Sequence, residues 1–130
     1  MRGFLEGELM ANEVFDIKLM ANFFAIHDLW HDSHAEIWHN LRFYYNAFTS
    51  RLEPIANDEL LYHPHPSVSA SPIAVKIRND SYIHLAYINT LKEIQLKLKN
   101  DKFLEQFIKL DNHYEAILRP EFFLKPPPVM

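Results

Sequence analysis

The chain of 130 residues has no cysteine, only two glycines, Gly3 and Gly7, and no run of lysine or arginine. Each absence closes off some chemistry. Without cysteine there is no disulfide, no thiolate nucleophile and no cysteine-held zinc, and an intracellular setting is the natural expectation. Without glycine beyond residue 7 there can be no glycine-dependent phosphate loop, no Asn-Gly hairpin and no nucleophile elbow around a serine. With a net charge of −4 and no basic cluster, the broad electrostatic footprint of a duplex-binding protein is missing. No apolar run approaches the length of a membrane span. Glu6, Glu8 and Glu13 interrupt the apolar core that a signal peptide would need. The expectation is a soluble, cytoplasmic protein with no membrane attachment.

What is present is bulk for a core. Hydrophobic residues make up 48% of the chain, with ten Phe, six Tyr and two Trp, enough for one domain with a core of large side chains. Prolines fall at 54, 64, 66, 72, 120, 126, 127 and 128. They leave two proline-free windows, 1–53 and 73–119, and long helices belong inside them because proline breaks helix interiors.

In the first window, Val14, Ile17, Ala21 and Phe24 recur at helical spacing. A neighbouring stripe of Phe15, Leu19, Phe23, Ile26 and Trp30 widens the apolar surface, which predicts a nearly buried helix over about 11–30. Ser33-His34-Ala35-Glu36 has the form of a capping box. Ile37, Leu41, Tyr44, Tyr45, Phe48 and Leu52 then continue a helical stripe, so a second helix is expected over about 34–52. Residues 53–72, including HPHPSVSASP, form a surface connection with a short helical turn over 57–61. Ser71-Pro72 resembles an N-cap followed by proline in the first turn. Ile73, Val75 and Ile77 alternate as a strand would, but a lone strand has no visible partner. One helix over about 72–99 is therefore favoured, carried by Ile88, Leu91, Ile94 and Leu98. Asn100-Asp101 breaks it, and a last helix covers about 102–118. Its face comprises Phe103, Leu104, Phe107, Ile108, Tyr114 and Leu118, interrupted by Asp111. Arg119-Pro120 ends it, and the tail should be polyproline-like at Pro126–Pro128. The expected fold is all-α: residues 1–119 as a single-domain bundle of about four main antiparallel helices with one long Pro-containing connection, then an extended Pro-rich tail, 120–130.

Two stretches carry the chemistry-bearing side chains. In HDLWHDSHAEIWHN, His27 and His31 have the i, i+4 spacing that lets two imidazoles on one helix share a metal. Asp28, Asp32, His34 and Glu36 could add a ligand, but the capping box places a helix break at residues 32–33, so a third ligand would also have to come from elsewhere, such as His63, His65, His84 or His113. Glu36-Ile37-Trp38-His39 supplies one Glu-x-x-His, whereas a di-iron bundle needs two. The cluster is a helix junction first, with His27 and His31 the weak metal candidates, and no cofactor is assigned.

The second stretch is Arg78-Asn79-Asp80-Ser81-Tyr82-Ile83-His84. Arg, then a polar residue, then His after a short gap, near the start of a helix that follows the main loop, resembles the ribonucleases of the HEPN family of helical bundles. That resemblance implies a metal-independent ribonuclease acting on RNA as a homodimer. Arg78 would hold phosphate, His84 would act as general acid or base and Asn79 would orient the pair. On one continuous helix, residues six apart lie about 240° apart, so convergence needs a kink, a helix start between them or a partner subunit. The bland alternative is an exposed Arg and a half-buried His.

The first choice is a non-catalytic protein that binds another protein, such as a regulator, an immunity-type inhibitor or an assembly factor. Candidate contact residues are Trp30, Trp38 and Tyr45 at the aromatic corner, and Phe122, Phe123 and Leu124 in the tail. The set Lys92, Lys97, Lys99, Lys102 and Lys109, balanced by Glu93, Asp101 and Glu105, is expected to be a solvent face.

Overall fold

The computed structural model describes residues 1–31, 34–56 and 70–122, with side chains through residue 117. Helices take most of these residues. They are α1 (Arg2–Glu6), α2 (Ala11–Val14), α3 (Ile17–Trp30), α4 (Pro72–Arg78), α5 (Ser81–Leu98) and α6 (Asp101–Phe122), with a 3-10 turn at His34–Glu36. Two strands, β1 (Arg42–Asn46) and β2 (Arg51–Ile55), pair antiparallel. Residues Met1–Lys92 and Glu93–Met130 are two compact units, and α5 runs across the division.

The expected all-α fold is thus corrected by a small sheet, and the helix expected over 34–52 is replaced by a hairpin. The physical reason lies in the residues that follow the 3-10 turn. Phe43, Tyr44 and Tyr45 are strong strand formers. The side chain of Asn46 then accepts hydrogen bonds from the amides of Phe48, at 2.9 Å, and Thr49, at 3.4 Å, which offers the backbone a turn in place of a helix. Ser50 completes the reversal with φ 55 in the left-handed region. Pro54 sits opposite Phe43; in a two-stranded sheet every strand is an edge, so its missing N–H is tolerated. Leu52 reaches back to Phe15 through a parallel bridge, its carbonyl accepting from the Asp16 amide at 2.9 Å.

That bridge also splits the helix expected over 11–30. Phe15 leaves α2 in extended conformation, and Asp16 caps α3 by accepting from the Leu19 amide at 2.9 Å. Cap chemistry likewise divides the helix expected over 72–99. Ser71 caps α4, accepting from the Ala74 amide at 3.2 Å, with Pro72 in its first turn as the sequence predicts. Asp80 then starts α5, its side chain accepting from the Tyr82 amide at 2.9 Å. Residues 73–78 are helix rather than strand. Asn100 caps α6 through the Lys102 amide at 3.0 Å. Helix α6 continues to Phe122, through the Arg119-Pro120 pair where the sequence predicts a stop. Ser33 of the expected capping box, the loop turn at 57–61, His63, His65 and the tail beyond Phe122 lie outside the described residues.

The core of the first unit is built around Phe15, Met20, Phe24, Ile77 and Ile83, all fully buried. Phe15 packs edge-on against Phe4 at 5.2 Å and tilted against Phe43 at 5.7 Å. Ala11, Ala21, Ala25, Ala35 and Ala74 have no exposed surface and let elements approach closely. The hairpin tip is the opposite extreme, since Phe48 is 101% exposed. Phe15→Ala should therefore lower stability by about 3–5 kcal/mol, whereas Phe48→Ala should stay within about 0.5 kcal/mol of wild type. Urea unfolding of both variants measures the difference.

Candidate functional site

The polar centre of the first unit is assembled from segments far apart in sequence. Arg78, the last residue of α4, donates one N–H to Asp28 Oδ2 at 2.7 Å and another to Glu36 Oε1. Tyr87, on α5, donates its hydroxyl to the same Asp28 oxygen at 2.6 Å. The guanidinium lies over the Phe24 ring, 4.6 Å from its centroid, and 5.9 Å from that of Tyr87. His27, almost completely buried, places Nδ1 3.9 Å from Glu36 Oε1 and stacks edge-on to Phe23 at 3.9 Å. The Glu36 carbonyl accepts from the Ser71 amide at 3.0 Å. Four elements, α3, the 3-10 turn, α4 and α5, are tied through one guanidinium and two carboxylates.

The electrostatics follow from burial. Glu36 is raised above the ordinary glutamate value of 4.5 because burial disfavours its charged form more than Arg78 and His27 favour it. Burial pulls Arg78 the other way, toward the neutral form, yet its hydrogen bond to Asp28 and the charge of Glu36 prevail and raise it. Tyr87 is raised first by its bond to Asp28 and then by burial. Arg78 is therefore a permanent cation with two of its N–H groups committed to carboxylates. That arrangement suits a structural tie more than the capture of a phosphate.

Of the residues in the HEPN-like pattern, Arg78 ends α4, Asn79 is the residue after it, and His84 lies exposed in the first turn of α5. The helix start that the pattern needs does occur between them, at Asp80-Ser81. His84 lies 6.1 Å, ring to ring, from Tyr87. His27 and His31 differ in setting: His27 is inside, while His31 turns left-handed at φ 52 to cap α3 and is exposed. Among the described residues no group of three or more His, Asp or Glu side chains is placed to hold a metal ion. Sequence reasoning singled out Asp28 and Glu36 only as spare ligands, and no spacing signal marks them as the partners of Arg78.

Trp30, Trp38 and Tyr45 are all exposed, at 46%, 70% and 56%. In the second unit, α6 presents Phe103, Phe107, Leu110, Tyr114 and Ile117, each between 37% and 57% exposed. Leu110 and Ile117 are absent from the face expected from the sequence, and Asp111 falls beside this row rather than within it. Lys92, Lys97, Lys99, Lys102 and Lys109 are exposed, as a solvent face requires. Among the described residues no helix is long and apolar enough to cross a membrane. Comparison with protein-family models, curated proteins and solved structures returned no match for this chain.

Arg78→Met would leave Glu36 buried without its cation and should cost about 3 kcal/mol or more. Adding Glu36→Leu should recover part of that loss, giving a non-additive double-mutant cycle in urea unfolding. A carboxyl raised on folding contributes stability that is complete below its unfolded pKa and fades as pH rises through its folded pKa. Wild type should therefore lose stability relative to Glu36→Gln as pH rises from 4.5 upward, read as the difference between their unfolding free energies at each pH.

Proposed function

We propose that this chain is a non-catalytic, cytoplasmic protein that works by binding another protein, and that the apolar row along α6 is its contact surface. The observation that carries the reading is that five large apolar side chains on one helix, Phe103, Phe107, Leu110, Tyr114 and Ile117, stand exposed together. Contiguous apolar surface of this kind on a soluble protein marks an interaction site more often than chance. A regulator, an immunity-type inhibitor or an assembly factor would each use such a face. The exposed Trp30, Trp38 and Tyr45 add aromatic surface on the first unit, the residue type enriched at binding hot spots. The engagement of Arg78 by Asp28 and Glu36 supports a binding role over the HEPN-like ribonuclease, whose arginine must meet phosphate.

Cross-linking of the full chain in extract of its own cells, mapped by mass spectrometry, tests this. Links to another polypeptide should concentrate at residues 103–117 and vanish in Phe107→Glu, with helix content by circular dichroism unchanged. Cleavage of mixed RNA by wild type that disappears in His84→Ala would instead favour the ribonuclease.

A further inference from the structure

Seven large apolar residues of α6 are exposed, and five of them form a regular row flanked by Leu104 and Ile108. Phe103, Phe107, Leu110, Tyr114 and Ile117 are separated by four, three, four and three residues. That is the alternation of a coiled-coil seam, in which each side chain enters a hole formed by four residues of a facing helix. Glu105 and Lys109 lie on the opposite side of the helix.

Charge and area indicate what faces the seam. Residues 93–130 hold six acidic and six basic side chains, so they are neutral, and the whole net charge of −4 belongs to residues 1–92. Two copies of this segment can therefore approach without mutual repulsion. With both helices running in the same direction, Asp111 flanks the seam opposite the partner's Gln106, an amide that can donate to it. Running oppositely, the two Asp111 carboxylates would face each other. Five half-exposed side chains, each offering on the order of 100 Å², give roughly 1,000 Å² from two copies, the lower bound for a specific interface.

We infer that a second copy of this chain covers the α6 row, the two helices pairing in parallel as a short coiled coil of about two and a half heptads; this rests on the reading of α6 as the contact surface.

The test uses the full chain in light scattering after size exclusion over a wide concentration range, with hydrogen exchange of residues 103–117 at each concentration. The expected mass at high concentration is twice the 15.4 kDa of the monomer, with protection of 103–117 rising in step. Leu110→Glu should weaken association at least tenfold while keeping helix content, and Lys109→Glu, on the far side, should not. A dimer that survives Leu110→Glu overturns the inference by placing the interface elsewhere. A monomer whose α6 amides exchange freely overturns self-pairing and leaves the row to a different protein. A monomer whose α6 amides are protected at every concentration overturns both, since the row is then covered within its own chain.

Discussion

The first unit depends on one cation. Arg78 reaches back from the end of α4 to carboxylates fifty and forty-two residues earlier, and the segments it joins also meet in the core through Phe24, Ala35, Ile77 and Ile83. Glu36 sits in a short 3-10 turn that propensity alone would not hold. Its carboxylate is anchored by Arg78 and its carbonyl by the amide of Ser71, so the same turn is fixed at both its side chain and its backbone. Burying that carboxylate is costly, and the cost shows in its raised pKa. Removing the arginine would leave the cost without its compensation.

Fixing Glu36 also fixes where the chain goes next. The turn delivers Ile37 and Leu41 toward the core and releases residues 42–55 as a hairpin whose inner residues, Phe43 and Leu52, close over Phe15. Phe15 in turn gives up its place in a helix to make that contact. A polar tie and an aromatic cluster thus share the work: Arg78 sets the positions of the segments, and Phe15 provides the surface against which they close. The guanidinium over Phe24 joins the two.

The helices were largely legible from proline placement and apolar spacing, and Ser71-Pro72 marked its helix start correctly. The hairpin was not, because Ile37, Leu41, Tyr44, Tyr45, Phe48 and Leu52 satisfy helical spacing while Phe43, Tyr44 and Tyr45 prefer a strand. Periodicity and propensity disagreed over these residues, and the side chain of Asn46 decided the matter locally. The breaks at Asp16 and Asp80 were missed for a related reason: an aspartate inside a periodic stripe looks like a tolerated polar residue until its oxygen is seen on an amide three or two positions later. The tie between Asp28, Glu36 and Arg78 was beyond reach, since nothing in spacing encodes a contact across a loop. On α6, the stripe read through Asp111 left out Leu110 and Ile117, which are exposed alongside Phe103, Phe107 and Tyr114.

Pro120 lies within α6, three residues beyond Ile117. Proline carries no N–H, so position 120 gives no hydrogen bond to the carbonyl of Ala116. The apolar row therefore ends close to where the hydrogen-bond ladder of α6 loses a donor. An association confined to the fifteen residues from Phe103 to Ile117 would be short, and so readily reversible and responsive to how much of the protein a cell holds.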